Sequence, residues 1–362
     1  MFIYYKKILL LFAVFVFIQT ALAQEVVTKT VGKTYAITDA GELYIESKYG
    51  NIIINGWDKD SISIKANVKA NHKKRENAKE LLDRINPQIK IAGDFISITS
   101  EISDKNTGFI SRYFNKVNPF EPDESNIQID YTIYLPANAE IEVNNTFGDI
   151  IIADWHGELK VNLHHGDLWI NDPITKADIE MKFGKLRAQS IDYANMDIKN
   201  GEADLKESKN LRVKSSGSTF KIEKVADLEI YSSKDRVIIE EVAGISGDLN
   251  FSNVKLHNVL NKINLSMHIT DFVVSKIHNK SPALNIEQES SDININITGA
   301  SFNFDVTMEQ GLIRIPKSFS NINTNVIDEN KKIRAINAIY GTAPFGKFLV
   351  TGEKGIIILR EE

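Results

Sequence analysis

Between Leu163 and Asp172 the chain reads LHHGDLWIND, which puts two imidazoles (His164, His165), a carboxylate (Asp167) and an indole (Trp169) within six residues. Adjacent histidines invite a metal or a general base. Asp167 has a counterpart in Asp149, eighteen residues earlier, and two facing carboxylates are the machinery of glycoside hydrolysis or, with more oxygens, a calcium site. An exposed tryptophan offers a flat apolar face to a sugar. Lys185 and Arg187, one further repeat along, complete the cluster. Which chemistry is open depends on the elements that hold these side chains.

Those elements repeat. From Ile141 onward two apolar residues alternate with polar ones, a small or polar residue breaks the run, and two more apolar residues follow at the second and fourth places. Gly148, Gly166, Gly184, Gly201, Ser218, Asp235, Ser252, Thr270, Ser291 and Gly311 mark the breaks, 17 to 21 residues apart. Alternation with period two is a strand signal. A unit of this size cannot bury its apolar face alone, so like units must stack. The expected fold is all-β: a single-stranded parallel β-helix, or β-solenoid, of about ten or more coils, wound right-handed. YGNIIINGW (Tyr49 to Trp57) matches FGDIIIADW (Phe147 to Trp155) position by position, so an early coil precedes the main array, and GEKGIIIL (Gly352 to Leu359) places another coil at the far end. The pattern weakens at Ala177 and Ala194, where other repeats carry larger apolar residues.

Between the early coil and the array, His72 to Pro87 reads as one amphipathic helix that Asn86-Pro87 terminates. Ile89 to Ile102 reads as a hairpin and Ile127 to Pro136 as a strand. A solenoid end is a raw sheet edge that needs cover, and this insertion is the expected cap. Ser103 to Asn126, polar with embedded aromatics, reads as a loop. The N-terminus has a basic start (Lys6, Lys7), an apolar run from Ile8 to Ile18 and an Ala21-Leu22-Ala23 site, which together describe a secretory signal peptide. The organisation is then 1–23 signal peptide, 24–140 early coil with helix and hairpin, and 141–362 main solenoid.

Composition narrows the partners. Loss of Lys6 and Lys7 moves the formal charge from -5 to -7, which disfavours nucleic acid and anionic lipid. No second apolar run is long enough to span a bilayer, so no membrane insertion is expected after cleavage. The chain has no cysteine, which rules out disulfides and thiolate zinc sites.

NIIINGWDKDSISIKANVKA, the Tyr131 to Pro136 stretch YTIYLP, and the run from Ile141 through LHHGDLWI together resemble the bacterial putative-adhesin β-helix family, a secreted domain of unknown function of the Bacteroidetes type. That resemblance implies a β-helix at the cell envelope and carries over no catalytic residue.

On such a coil His165 is expected half-buried in an aromatic stack between Phe147 and Phe183. His164, its strand neighbour, then points to the other side, so the two cannot share a metal. Trp57 and Trp155, seven residues after matching glycines, are expected to be structural at coil corners. Asp149, Asp167, Trp169, Lys185 and Arg187 are left side by side on one outer face as the candidate binding strip. No catalytic residue, metal site or cofactor is assigned. The leading expectation is a non-enzymatic, exported envelope module, in the periplasm or on the cell surface, whose partner is a surface glycan or an envelope protein. The alternatives are a polysaccharide-cleaving β-helix enzyme and an envelope-stress accessory protein.

Overall fold

A computed structural model of the chain describes residues 25–102 and 127–362. The proposed signal peptide and the 103–126 loop lie outside the described residues. Among the described residues there is one helix, and the strands join into one open, unclosed sheet system. The strands run in two parallel ladders, one before the break residue of each repeat and one after it, and this arrangement fits a solenoid. In the post-corner ladder Ile52, Ile150, Leu168, Leu186, Ala203, Phe220, Val237, Val254, Phe272 and Ile293 lie in register, rung upon rung. The pre-corner ladder aligns Leu43, Ile141, Leu159, Ala177, Ala194, Leu211, Leu228, Ile245, Ile263 and Leu284 in the same way. All of these side chains are buried and form one continuous core. Parallel neighbours cannot be joined by a tight turn; here the segment on the opposite ladder makes each crossover.

The corner between the ladders has a fixed backbone device. His165, Phe183, Asn200, Lys234, Phe251, Ile269 and Ser290 each adopt φ near +50 to +59° just before the break residue. This single left-handed residue reverses the strand alternation. After Leu163 the alternation would bring His165 inward, but the ring turns out and the break residue turns in. In the two earliest corners glycine takes the strain instead, with φ of +126° at Gly50 and +130° at Gly148. Side chains would not fit in the glycine part of this column. A Cβ on Gly166 would run into the carbonyl oxygen of Gly148, and one on Gly184 into that of Gly166. From Ser218 onward the column carries buried polar side chains: Ser218, Asp235, Ser252, Thr270 and Ser291.

Both ends close with antiparallel strands. At the first, Phe95–Ile102 and Ile127–Pro136 add parallel to the early rung. Beyond them Ile85–Ala92, Ser61–His72 and Glu25–Ala36 pair antiparallel. The helix Arg75–Arg84 buries Ala78 and Leu82. It is shorter than expected from the sequence, because Ile85 already begins a strand.

The other end corrects the expected order of rungs. Gly346–Glu353 and Ile356–Arg360 do not extend the stack. They lie between the rung of Ala283–Glu289 and Asp292–Asn296 and the rung of Phe302–Glu309 and Leu312–Arg314. Ile357 thus sits between Ile293 and Ile313, and Phe348 between Leu284 and Phe304. The hairpin strands Ser320–Asp328 and Ile333–Tyr340 then cover the outer rung. Phe302, Phe304 and Phe348 pack edge to face within this end.

Two outcomes test these contacts. Gly184→Ala must displace a neighbouring carbonyl and is expected to cost about 1–3 kcal/mol, read as a lower midpoint in urea. Phe348→Ala removes a fully buried ring at an expected cost of about 3–5 kcal/mol, and limited proteolysis should then cut first after residue 297. Uniform cleavage along the whole chain would contradict the interleaved end.

Candidate functional site

Asp149, Asp167 and Lys185 occupy consecutive rungs beside one corner, and Trp169 pairs in register with Arg187. Each is already engaged. Asp149 Oδ1 accepts the backbone N–H of Asp167 at 2.9 Å, and Asp167 Oδ1 accepts that of Lys185 at 2.9 Å. One rung earlier Asn51 Oδ1 accepts the N–H of Asp149 at 2.9 Å. The three oxygens form one side-chain-to-backbone ladder. An amide serves as well as a carboxylate there, so the position requires an acceptor and not a charge. Lys185 Nζ donates to Glu202 at 3.0 Å, and that bond holds the Glu202 carboxyl below its usual range. The Arg187 guanidinium lies 4.9 Å from the Trp169 ring centroid, a cation–π contact that covers one face of the expected sugar platform.

The two histidines separate as expected, but not in the expected sense. His165 is exposed rather than half-buried, because its left-handed backbone turns the ring outward. It does stack, 5.1 Å from Phe147 and 4.9 Å from Phe183, and Tyr49 extends the stack beyond Phe147 at 5.4 Å. Phe147 and His165 are covered by rings on both faces, so only their edges meet solvent. His164 Nε2 lies 3.3 Å from Lys182 Nζ. Burial, and then the Lys182 charge, hold the His164 ring below its ordinary pKa, which keeps it neutral at pH 7. Among the described residues no group of three His, Asp or Glu side chains converges on a metal position.

Trp155 is buried and donates from Nε1 to the Ala139 carbonyl at 2.9 Å. Trp57 donates to the Ser61 carbonyl at 2.7 Å and stacks on Tyr134 at 5.5 Å. Both are structural. The sequence reading missed the buried carboxylate of Asp235. It accepts from Ser215 Oγ (2.6 Å), Ser218 N (2.7 Å), Ser232 Oγ (2.8 Å) and Ser233 N (3.1 Å). Four donors satisfy it without a cation, as burial of a charge demands. The signal was present where Ser218, Asp235 and Ser252 replace glycine at the break position.

No family model and no curated protein matches the chain. Solved structures are similar to it. A putative cell adhesion protein from Clostridium sporogenes matches with 13% identity and a TM-score of 0.19, over 92% of this chain and 100% of that one. A putative adhesin from Bacteroides fragilis matches with 11% identity and a TM-score of 0.27, over 92% and 97%. A putative lipid binding protein from Parabacteroides distasonis matches with 12% identity and a TM-score of 0.23, over 74% and 92%. Likeness at this level leaves the chain's function to its own geometry.

Proposed function

We propose that this chain is a non-enzymatic, exported module of the cell envelope, acting in structure, adhesion or interaction. The N-terminal 23 residues direct export, residues 24–140 form the capped entry to the stack, and residues 141–362 form the main solenoid. Right-handed winding accords with the general hand of parallel crossovers, and ten or more coils accord with the repeat count. The protein works in the periplasm or at the cell surface, where its partner is a surface glycan or an envelope protein. No helix among the described residues is long and apolar enough to cross a membrane.

One observation supports this reading above others. The carboxylates best placed for acid–base work, Asp149 and Asp167, spend an oxygen each on the backbone of the next rung. The Oδ1 so held gives each carboxylate a part in joining rung to rung, which is what a structural module asks of it.

The test separates charge from hydrogen bonding. Asp167→Asn keeps an acceptor and should leave the unfolding midpoint nearly unchanged, whereas Asp167→Ala should cost about 0.5–1.5 kcal/mol. The mature protein should co-sediment with the envelope fraction of its source cells and release no reducing ends from polysaccharides. Reducing ends that appear with the wild type and vanish with Asp167→Asn would establish an enzyme instead.

A further inference from the structure

The pre-corner face carries a patch of polar side chains that are not tied to their neighbours. Along its rungs, outward polar side chains are mostly tied to their neighbours. Lys160 pairs with Glu142, Lys176 with Glu158, Arg212 with Glu229 and Lys262 with Asp227. Asn285 likewise bonds Asn264. Between the Lys176 and Arg212 pairs the bonding stops. Asp178, Tyr193, Asn195 and Asn210 occupy adjacent places in register, and none of them makes a side-chain hydrogen bond or ion pair among the described residues. Tyr193 is 50% exposed, and no other aromatic ring stacks on it among the described residues.

The ground beneath is recessed. A shallow trough of about 420 Å³ runs across this face and is lined by all four residues together with Ala177 and Ala194. Neighbouring rungs place Leu159, Leu211 and Leu228 in that inner column. The trough continues past the two alanines over Leu211 and Leu228.

We propose that this trough is a carbohydrate-binding site, with Tyr193 as the platform for one pyranose ring and Asp178, Asn195 and Asn210 as partners for its hydroxyls. The inference rests on the module reading and names its ligand class. A tyrosine supplies a rigid amphipathic face at low entropic cost. A carboxylate accepts and two amides both donate and accept, the mixture that hydroxyl groups require. The ligand is a neutral glycan, because the flanking cations Lys176 and Arg212 are already ion-paired and leave none for an anionic sugar. Trp169, on the other ladder, plays no part in it.

The probes are four soluble neutral polysaccharides: galactomannan, xyloglucan, mixed-linkage β-glucan and dextran, each cast into a native gel. The mature protein is compared with Tyr193→Ala, Asn195→Ala and Trp169→Ala after thermal melts have shown that all are folded. At least one polysaccharide should retard the wild type. Tyr193→Ala should weaken that retardation roughly tenfold or more, Asn195→Ala should weaken it to a lesser degree, and Trp169→Ala should leave it unchanged. Retardation that survives Tyr193→Ala overturns the site, and retardation by none of the four overturns the ligand class. In either case co-sedimentation with the envelope decides the module reading separately.

Discussion

Everything in this protein depends on the backbone hydrogen bonds that pass from rung to rung. A strand in a parallel stack has no partner within its own turn; its N–H and C=O groups are satisfied only by the rungs on either side. Strand spacing is therefore set at about 4.8 Å, and whatever side chain a rung presents meets those of its neighbours at that distance. Isoleucine stands on isoleucine at Ile52 and Ile150, and leucine on leucine at Leu168 and Leu186. The same constraint reaches the polar positions: Asn51, Asp149 and Asp167 share one ladder because one geometric need recurs in each turn.

The corner meets that constraint in two ways along the stack. Near the start, glycines let the backbones close to a distance that admits no side chain. Further along, inward Ser, Asp and Thr groups fill the column with hydrogen bonds, from Ser218 through Ser252. A buried polar network is favourable only if every member is satisfied, and the four donors around Asp235 meet that condition. What looked like a dense reactive cluster at His164 to Trp169 is one ordinary turn of this device.

The repeat was legible because alternation is a local property: Ile150, Leu168 and Leu186 lie in register as their spacing implied. The strand Ile127–Pro136 and the hairpin ending at Ile102 were equally local. The outward turn of His165 was not legible, since one left-handed residue inverts the faces and no residue type announces it at Phe183, Lys234 or Ile269. Glu25–Ala36 was missed because its inward side is only half-buried and mixes Lys29 with Val27, Val31 and Tyr35, which blurs the apolar alternation. The engagement of Asp149 and Asp167 depended on backbone positions across rungs, which spacing alone does not give. The order of the last rungs was hidden for another reason: a matching pattern says that a segment is a rung, not where it is inserted.

That insertion has a consequence for how the chain is made. Residues 302–340 leave the ribosome before residues 346–360, yet in the finished molecule the later segment separates the earlier one from the rest of the stack. The outer rung therefore cannot settle permanently when it first emerges. Either it waits unpaired, or it docks on the Ala283–Glu289 rung and must be prised away again. Non-local pairing of this kind is slow, and an exposed parallel edge during the wait is a place where two nascent copies could join. The first rungs can lock in order of synthesis, whereas the final turn is an act of wedging, completed only when Phe348 and Ile357 have entered the gap kept for them.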